Sequence, residues 1–391
     1  MERDFDKVIN RRGTNCAKYD FAKEYGKPEG LLPLWVADMD IQAPKAVTEM
    51  LEELSRFGIF GYSDTDDKYF KAVHDWDKER FDWEVNPEWL VKTPGVVFAV
   101  ATAVRALTEP GDGVMIQQPV YYPFGNVIRD NDRKVVNCPL VLENGTYRMD
   151  FEDFEEKLKS GQVKLFILCS PHNPVGRVWT EDELRKVGEL CLQYKVPVVS
   201  DEIHCDFTYP GYKHHIFAAL DERFEDNCVI CTAPSKTFNL AGLQASNLFI
   251  PNQEIRRKVR RAIKKTGYGG LNQMGIAACQ AAYEGGAQWL DELKAYLKEN
   301  LDFLRSFVEN RLPGVELIEP QGTYLVWLDL RKLGMNPQQQ DDFIVNTAGL
   351  WLDTGTMFGE EGAGFERINI ACPRKTLTEA LERLEKALNT L

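Results

Sequence analysis

The hydrophobic pattern of this chain alternates between short apolar runs and segments with helical spacing. Apolar runs of strand length occupy residues 163–170, 196–200 and 229–232, and each leads into a group of polar residues. The segment between the first two runs, residues 180–194, has the apolar spacing of an amphipathic helix. A strand, a helix and a second strand form a βαβ unit with parallel strands. The pattern therefore predicts an α/β fold whose mostly parallel sheet is sandwiched by helices.

The predicted helix at 180–194 carries its own start signal. Thr180 is a suitable N-cap, and Glu183 completes a capping box with it. The buried face of this helix is formed by Leu184, Val187, Leu190 and Tyr194. Similar patterns predict helices at 98–107, 255–265, 289–311 and 380–391, and strands at 323–328 and 365–370.

The regular alternation of strands and helices stops near Gly285 and Gly286. Residues 48–286 carry the alternation that builds the sheet, and a long amphipathic segment follows them. A chain of 391 residues is long enough to form two domains. We therefore predict a large domain at 48–286 and a smaller α/β domain that includes residues 287–391.

Composition and charge indicate which kinds of partner this protein binds. The hydrophobic content of 44% and the charged content of 27% are those of an ordinary soluble globular protein. A net charge of −13 argues against nucleic acid as the main partner, because such binding depends on Lys and Arg neutralising phosphates. Residues 1–6 lack the apolar centre of a signal peptide, and no run of about 18 apolar residues occurs anywhere. We expect a cytoplasmic protein that does not contact the membrane.

One segment, residues 255–265, is strongly basic in this acidic chain. Its apolar residues Ile255, Val259 and Ile263 recur every four positions, which indicates an amphipathic helix with a cationic outer face. We interpret this face as solvated, with a surface for an anion or a partner as the alternative.

The cysteines and histidines give no sign of a disulfide framework or a metal centre. The nine cysteines are scattered, and several lie inside apolar runs, which is typical of reduced thiols. Cys228 and Cys231 fall in one predicted strand, where residues three apart point to opposite faces. The five histidines have no metal-ligand spacing. We therefore expect structural thiols and no bound metal.

Three polar residues follow the ends of the predicted parallel strands: Asn173, Asp201 and Lys236. The carboxyl ends of parallel strands meet at one edge of a sheet, where ligands bind. A lysine against apolar walls is partly desolvated, which lowers its pKa and makes the neutral, nucleophilic amine accessible. Lys236 is therefore a candidate for a Schiff-base lysine, with an ordinary surface lysine as the alternative.

Four motifs support a more specific interpretation: P-H-N-P-V-G at 171–176, S-D-E-I-H at 200–204, S-K-T-F-N-L-A-G-L at 235–243 and N-I-A-C-P-R at 369–374. Together they resemble the fold-type-I pyridoxal-phosphate enzymes, the aspartate aminotransferase superfamily (class I/II). Within it the chain resembles the cystathionine β-lyase or cystalysin-like C–S lyase branch. The resemblance implies a seven-stranded, mostly parallel sheet, and it implies that residues 1–47 join 287–391 in the small domain.

The resemblance implies pyridoxal 5′-phosphate as the cofactor, bound covalently by Lys236, which then serves as the general base. Asp201 would keep the ring nitrogen protonated, so that the ring can store electrons. A carboxylate about 4 Å from that nitrogen contributes roughly 4 kcal/mol at an effective dielectric near 20, or about three pKa units. Asn173 would donate to the phenolic oxygen of the ring.

Two adjacent aromatics, Tyr121 and Tyr122, follow another apolar run. The resemblance places Tyr121 flat against the cofactor ring, among the catalytic residues, with Tyr122 as a nearby contact of cofactor and substrate. The sequence leaves open which tyrosine stacks. His204, at the end of the S-D-E-I-H motif, is a further expected cofactor contact.

The phosphate of the cofactor needs N–H donors at the start of a helix. The backbone amides of Val96 and Val97 precede the predicted helix at 98–107, and Ser235 adds a hydroxyl. Many members of the superfamily carry a serine and an arginine where this chain has Ala233 and Gln244. Phosphate binding must therefore depend on other donors.

The similar C–S lyases suggest Tyr62 as one such donor, reaching in from a second subunit. The resemblance thus implies a homodimer with shared active sites. A surface aromatic with no role in the site is the alternative for Tyr62.

Recognition of the substrate carboxylate is expected from Arg374, whose planar guanidinium matches a carboxylate. The backbone N–H of Ala37 is a second candidate, since Trp35–Asp38 resembles a segment that lies over the substrate. The resemblance implies β-elimination from cystathionine or a related cysteine S-conjugate, giving a thiol such as homocysteine, pyruvate and ammonia. An aminotransferase with the same residues is the close alternative. A regulatory binding protein that retains the fold is the alternative from another class.

Overall fold

The computed structural model describes residues 5–391. Residues 1–4 lie outside the described residues. They belong to the predicted small-domain segment 1–47 and to residues 1–6, in which the sequence analysis found no apolar centre of a signal peptide. Within residues 5–391, none of the helices combines the length and the apolar character needed to cross a bilayer.

The described residues form fifteen strands, most of them short. They are β1 (Leu32–Pro33), β2 (Leu90–Thr93), β3 (Gly113–Ile116), β4 (Lys134–Asn137), β5 (Val141–Glu143), β6 (Thr146–Arg148), β7 (Val163–Cys169), β8 (Val198–Asp201), β9 (Cys228–Thr232), β10 (Ser246–Phe249), β11 (Glu316–Ile318), β12 (Leu325–Asp329), β13 (Leu350–Trp351), β14 (Asp353–Thr354) and β15 (Phe365–Asn369).

Fourteen α-helices lie between and around these strands in the described part of the chain. They are α1 (Ala17–Asp20), α2 (Lys45–Phe57), α3 (Asp67–Phe81), α4 (Val96–Leu107), α5 (Pro123–Asp130), α6 (Phe151–Lys159), α7 (Glu181–Gln193), α8 (Glu222–Glu225), α9 (Pro234–Thr237), α10 (Gln253–Lys265), α11 (Gln273–Gly285), α12 (Ala287–Arg311), α13 (Pro337–Asp342) and α14 (Arg374–Leu388).

The large sheet has seven strands in the order β2-β10-β9-β8-β7-β3-β4. Among these strands β10 alone runs antiparallel to its neighbours, and the other pairs are parallel. Helices cover both faces, and the central strands β7, β8 and β9 are buried along their length except at Lys164. The predicted α/β fold with a mostly parallel seven-stranded sheet is confirmed.

Register brings the polar strand ends to one edge of this sheet. Cys169 at the end of β7 pairs with Asp201 at the end of β8, and Asp201 pairs in turn with Cys231 in β9. The chain leaves β7 towards Asn173 and leaves β9 towards Lys236 at the same level. The three polar residues singled out in the sequence therefore follow adjacent strands.

A second sheet of four antiparallel strands, β11-β12-β15-β14, is built from the C-terminal part of the chain. The N-terminal strand β1 pairs with β13, which places residues 32–33 beside residues 350–351. This pairing agrees with the expectation that the N-terminal segment packs with the C-terminal part. The division of the chain at residues 48 and 286 stays a prediction.

Most predicted elements appear close to their expected bounds. The helix α7 has the capping box, because the Thr180 side chain accepts from the Glu183 N–H while the Glu183 side chain accepts from the Thr180 N–H. The terminal helix α14 differs, since it begins at Arg374 and not near residue 380. Pro373 precedes its first residue, and proline lacks the N–H that would be unsatisfied at this end of a helix. All nine cysteines are free thiols, and eight are buried.

Candidate active site

A cavity of about 220 Å³ opens at the carboxyl edge of the large sheet. Nine of the residues predicted for the site line it, and they come from six separate stretches of the chain. They are Ala37, Val96, Val97, Tyr121, Asn173, Asp201, His204, Ser235 and Lys236. Three predicted residues, Tyr62, Tyr122 and Arg374, are not part of this lining.

Lys236 lies in the short helix α9, directly after β9. Its ammonium donates a hydrogen bond of 3.1 Å to the backbone carbonyl oxygen of Ala37. Burial lowers the pKa of Lys236 to about 8, and the positive charge of Arg367 lowers it further, while Asp38 and Asp201 oppose the shift. Such a pKa leaves roughly one amine in ten neutral at pH 7, enough for a nucleophile or a base.

Asp201 is the last residue of β8, and its side chain is buried in the cavity wall. Burial raises its pKa to about 7, against the hydrogen bond from the Ile203 N–H to Oδ1 at 3.1 Å and the charge of Lys236. This carboxylate is therefore short of positive partners. A cationic N–H placed against it would restore its charge and gain a strong, charge-assisted hydrogen bond.

Asn173 connects the loop that carries Tyr121 and Tyr122 to Arg367. Its backbone carbonyl accepts from the Tyr121 N–H at 3.0 Å, and its side-chain oxygen accepts from Arg367 at 3.0 Å. The ring of Tyr121 lines the cavity, whereas Tyr122 packs edge-on against Phe358 with ring centres 5.9 Å apart. Of the two tyrosines, Tyr121 is therefore the one placed to stack on a ring bound in the cavity.

The helix α4 directs its N-terminus into the cavity. Val96 and Val97 are its first residues, and both line the cavity. The residue before them, Gly95, has no side chain to cap the helix, and its φ of 144° is one that glycine adopts easily. N–H groups at the start of a helix commonly bind anions, and Ser235 lines the same cavity.

His204 is buried in the cavity wall, with its ring edge against Tyr324 at a centre distance of 5.8 Å. Burial lowers its pKa well below 6.5, and the charges of Lys236 and Arg367 act in the same direction. The ring is therefore neutral at physiological pH. Its Nδ1 has no hydrogen-bond partner among the described residues, so it remains available to a bound group.

Arg367, in the middle of β15, is the site residue that the sequence analysis missed. It is buried, and it donates to the Asn173 side chain, to the backbone carbonyl of Trp35 at 2.7 Å, and to Asp353 in a short ion pair. Its Nε is buried without a partner among residues 5–391. Arg367 is not itself part of the cavity lining, but its guanidinium contacts the lining residue Asn173, and a guanidinium can bind a carboxylate with two parallel hydrogen bonds. The available signal was a pair of charged residues, Glu366 and Arg367, inside a strand-like apolar run.

The structure does not bring Arg374, the predicted partner of the substrate carboxylate, into the cavity lining. Arg374 begins helix α14, and its Nε donates to the side-chain oxygen of Asn300 at 2.7 Å. Its guanidinium lies over the ring of Phe303, 4.7 Å from the ring centre. These contacts hold Arg374 in the packing between α12 and α14, away from the cavity.

Ala37 lines the cavity as expected, and its carbonyl oxygen accepts two hydrogen bonds there. This oxygen accepts from Lys236 and also from the hydroxyl of Tyr324 at 2.9 Å. Tyr62 lies in the loop between α2 and α3 with its side chain fully exposed. Its expected role depends on a second subunit, and it stays a prediction.

A model of the family "Aminotransferase class I and II" matches residues 34–384. This chain belongs to the aminotransferase class I and II family. Within the family it is similar to the cystathionine β-lyase PatB of Bacillus subtilis, with 45% identity over 385 residues that cover 98% of this chain and 100% of that protein. It is also 33% identical to the protein MalY of Escherichia coli, over 99% of each chain.

Two solved structures are also similar to this chain over nearly its whole length. Cystalysin from Treponema denticola, which contains a pyridoxal 5′-phosphate cofactor, superposes with a TM-score of 0.96 at 38% identity and full coverage of both chains. A PLP-bound aminotransferase-like protein from Clostridium difficile superposes with a TM-score of 0.97 at 39% identity, over 99% of this chain and 100% of that chain.

Proposed function

We propose that this chain is a pyridoxal-phosphate-dependent C–S β-lyase. It cleaves cystathionine or a related cysteine S-conjugate to a thiol, pyruvate and ammonia, and the thiol from cystathionine is homocysteine. The observation that carries the proposal is the meeting of the Lys236 amine and the Asp201 carboxylate in one cavity, in a chain 45% identical to a cystathionine β-lyase over its full length.

The residues of the cavity fit the cofactor group by group. The Lys236 amine would bind its aldehyde carbon, the buried Asp201 would accept from the ring N–H, and Asn173 would donate to the phenolic oxygen; all three residues line the cavity. Tyr121 would stack on the ring. The N-terminus of α4 at Val96 would bind the phosphate, because its amides carry no capping side chain. Val97, Ser235 and His204 would make further contacts.

The bound cofactor supplies an electron sink for the pair of electrons left at the substrate Cα. The protein supplies the base, because Lys236 has a neutral fraction at pH 7 and lies beside the same cavity. When Lys236 takes the Cα proton it becomes an ammonium, and the Ala37 carbonyl at 3.1 Å accepts a hydrogen bond from it.

Arg367 orients the substrate. Its guanidinium is fixed by Asn173 and Asp353, so little side-chain entropy is lost when a carboxylate binds. Holding the α-carboxylate directs the Cα proton towards the lysine amine. The Cβ–S bond then breaks with its electron pair on sulfur, and the released 2-aminoacrylate takes up water to give pyruvate and ammonia.

We also propose that the enzyme is a cytoplasmic homodimer with shared sites. The supporting observation is an apolar surface beside the loop that carries Tyr62, formed by the exposed side chains of Phe57, Ile59 and Phe60. A second copy of this chain would cover these side chains and bring Tyr62 towards the phosphate. Free, mostly buried thiols are compatible with a reducing compartment.

An aminotransferase would use the same residues, and a solved PLP-bound structure at 39% identity is described as a putative aminotransferase. A binding protein without catalysis would have no need of a lysine with a lowered pKa in a cavity lined by Asp201 and Asn173. The deciding difference is whether a 2-oxo acid is required.

The test is to incubate the cofactor-loaded protein with cystathionine in the absence of any 2-oxo acid. We expect pyruvate, ammonia and homocysteine in equal amounts, and no reaction with Lys236→Ala. Turnover that depends strictly on an added 2-oxo acid would instead identify an aminotransferase.

A further inference from the structure

The segment at 36–41 belongs to neither sheet, is bent along most of its length, and contributes Ala37 to the cavity lining. In its middle, the Ala37 carbonyl accepts hydrogen bonds from both Lys236 and Tyr324. Backbone groups outside a sheet need other partners if they are to keep a fixed position. Two asparagine side chains provide these partners on either side of Ala37.

Asn369 holds the segment from the side of β15. Its Nδ2 donates to the carbonyls of Val36 and Asp38, both at 2.7 Å, and its Oδ1 accepts from the Ala371 N–H at 2.8 Å. Its side chain is fully buried. The two carbonyls that flank Ala37 are therefore fixed by a single amide group.

Asn239 holds the following residues from the lysine-bearing turn. Its Oδ1 accepts from the Met39 N–H at 2.9 Å, and its Nδ2 donates to the carbonyls of Met39 and Ile41, both at 2.9 Å. It lies three residues after Lys236 and has a left-handed backbone with φ of 60°, which Asn tolerates better than most residues. This amide therefore ties the segment to the turn that carries the amine.

We propose that Asn239 and Asn369 are positioning residues for catalysis, which together fix the Ala37 carbonyl as the hydrogen-bond acceptor of the freed Lys236 amine. The inference rests on the proposed role of Lys236 as the base. Neither asparagine lines the cavity, so each acts through the backbone of the segment at 36–41.

The chemical reason is the charge on Lys236 after it takes the proton. A buried ammonium is costly unless it is hydrogen-bonded, and the Ala37 carbonyl lowers that cost. The charged groups that face Lys236 are Asp201 from β8, Arg367 from β15 and Asp38 from the segment itself. If the segment loosens, the ammonium loses the carbonyl and the nearby Asp38 charge, so its pKa should fall.

Asn239→Gly is the main test variant, because glycine keeps the left-handed backbone and removes all three hydrogen bonds. Asn144→Gly is the matched control, since Asn144 is also left-handed (φ 49°) but lies exposed in the turn between β5 and β6. The pH profile of Lys236 acetylation in the cofactor-free full chain, read by peptide mass spectrometry, gives the pKa of the amine. We expect the midpoint to fall by about one unit in Asn239→Gly and to stay unchanged in Asn144→Gly.

The kinetics of the cofactor-loaded variant give a second measurement. Asn239 does not contact Arg367, so we expect kcat to fall roughly tenfold while KM stays within about twofold. Asp38→Asn measures the contribution of the Asp38 charge alone, and the shift in Asn239→Gly should exceed it. Should Asn239→Gly lose its native circular dichroism, Asn369→Ser is subjected to the same two measurements.

An unchanged acetylation midpoint in a natively folded Asn239→Gly or Asn369→Ser would overturn the proposal. So would a shift no larger than that of Asp38→Asn. The acetylation measurement needs neither cofactor nor substrate. Its result therefore distinguishes two failures. If this inference fails, the acetylation midpoint does not shift. If the lyase assignment fails, the midpoint shifts but no cystathionine is cleaved.

Discussion

The guanidinium of Arg367 donates a hydrogen bond of 3.0 Å to the side-chain oxygen of Asn173. Arg367 belongs to the four-stranded sheet and Asn173 follows a strand of the seven-stranded sheet, so this contact joins the two sheets at the cavity. With its oxygen engaged by Arg367, the amide of Asn173 has its N–H groups left for a bound ligand. The contact thus orients both side chains at once.

Arg367→Lys should raise KM and lower kcat/KM for cystathionine by about 10- to 100-fold, because a lysine cannot hold a carboxylate with two parallel hydrogen bonds. Arg374→Lys is the matched control and should change kcat/KM less than about threefold, since Arg374 contacts Asn300 and Phe303. Steady-state kinetics of both variants check the prediction. A larger loss of kcat/KM in Arg374→Lys than in Arg367→Lys would indicate that Arg374 binds the substrate carboxylate.

Asp201→Asn should reduce kcat roughly a thousandfold, because the isosteric amide removes a charge interaction of about 4 kcal/mol with the cofactor ring. The exposed Asp182 offers a control, and Asp182→Asn should retain full activity. Cofactor content is measured by absorbance in each preparation, so that a loss of binding is separated from a loss of rate. Near-normal kcat in fully loaded Asp201→Asn would contradict the assigned role.

Lys236→Met should make the cofactor-free protein more stable at pH 7, by up to about 3 kcal/mol. The pKa of Lys236 is about 8 in the folded chain and 10.5 in the unfolded chain, so the unfolded state binds more protons between these values. The stability of the unaltered protein therefore rises with pH across this window, and the advantage of Lys236→Met should shrink from pH 8 to 10.5. Urea unfolding at several pH values measures it, and a constant difference would show that Lys236 has an ordinary pKa.

Mixing two inactive variants tests the shared active site. Lys236→Ala lacks the base, and Tyr62→Ala lacks the donor that we expect from the second copy. A heterodimer of the two contains one complete site, so random exchange of subunits should restore about a quarter of full activity. No recovery after verified exchange would show that Tyr62 serves its own chain, and full activity of Tyr62→Ala alone would show that it has no role in the site.

The polar residues at strand ends were predictable from the sequence, and the reason is geometric. Apolar runs locate parallel strands, and the carboxyl ends of those strands share one edge, so Asn173, Asp201 and Lys236 had to lie close together. The N-terminus of α4 followed from the same logic, since Val96 and Val97 start a helix after a strand.

The residues that act through contacts with distant parts of the chain could not be found in this way. Arg367 lies in a buried strand, where the sequence shows a charge but not the ion pair with Asp353 that makes its burial possible. Asn239 and Asn369 bind backbone carbonyls of a segment about 200 and 330 residues earlier in the chain, as three of their hydrogen bonds show. Contacts of side chains with a distant backbone leave no periodic pattern. The position of Arg374 outside the cavity lining was not predictable either, because the motif N-I-A-C-P-R does not show that Arg374 begins a helix.

The most direct test of the account is to load the protein with pyridoxal phosphate, reduce it with borohydride and map the modified lysine by mass spectrometry. We predict that the cofactor mass appears on the peptide that contains Lys236 and is absent in Lys236→Ala. Cofactor attached to a different lysine, or no covalent attachment at all, would contradict the assignment of this cavity as the active site.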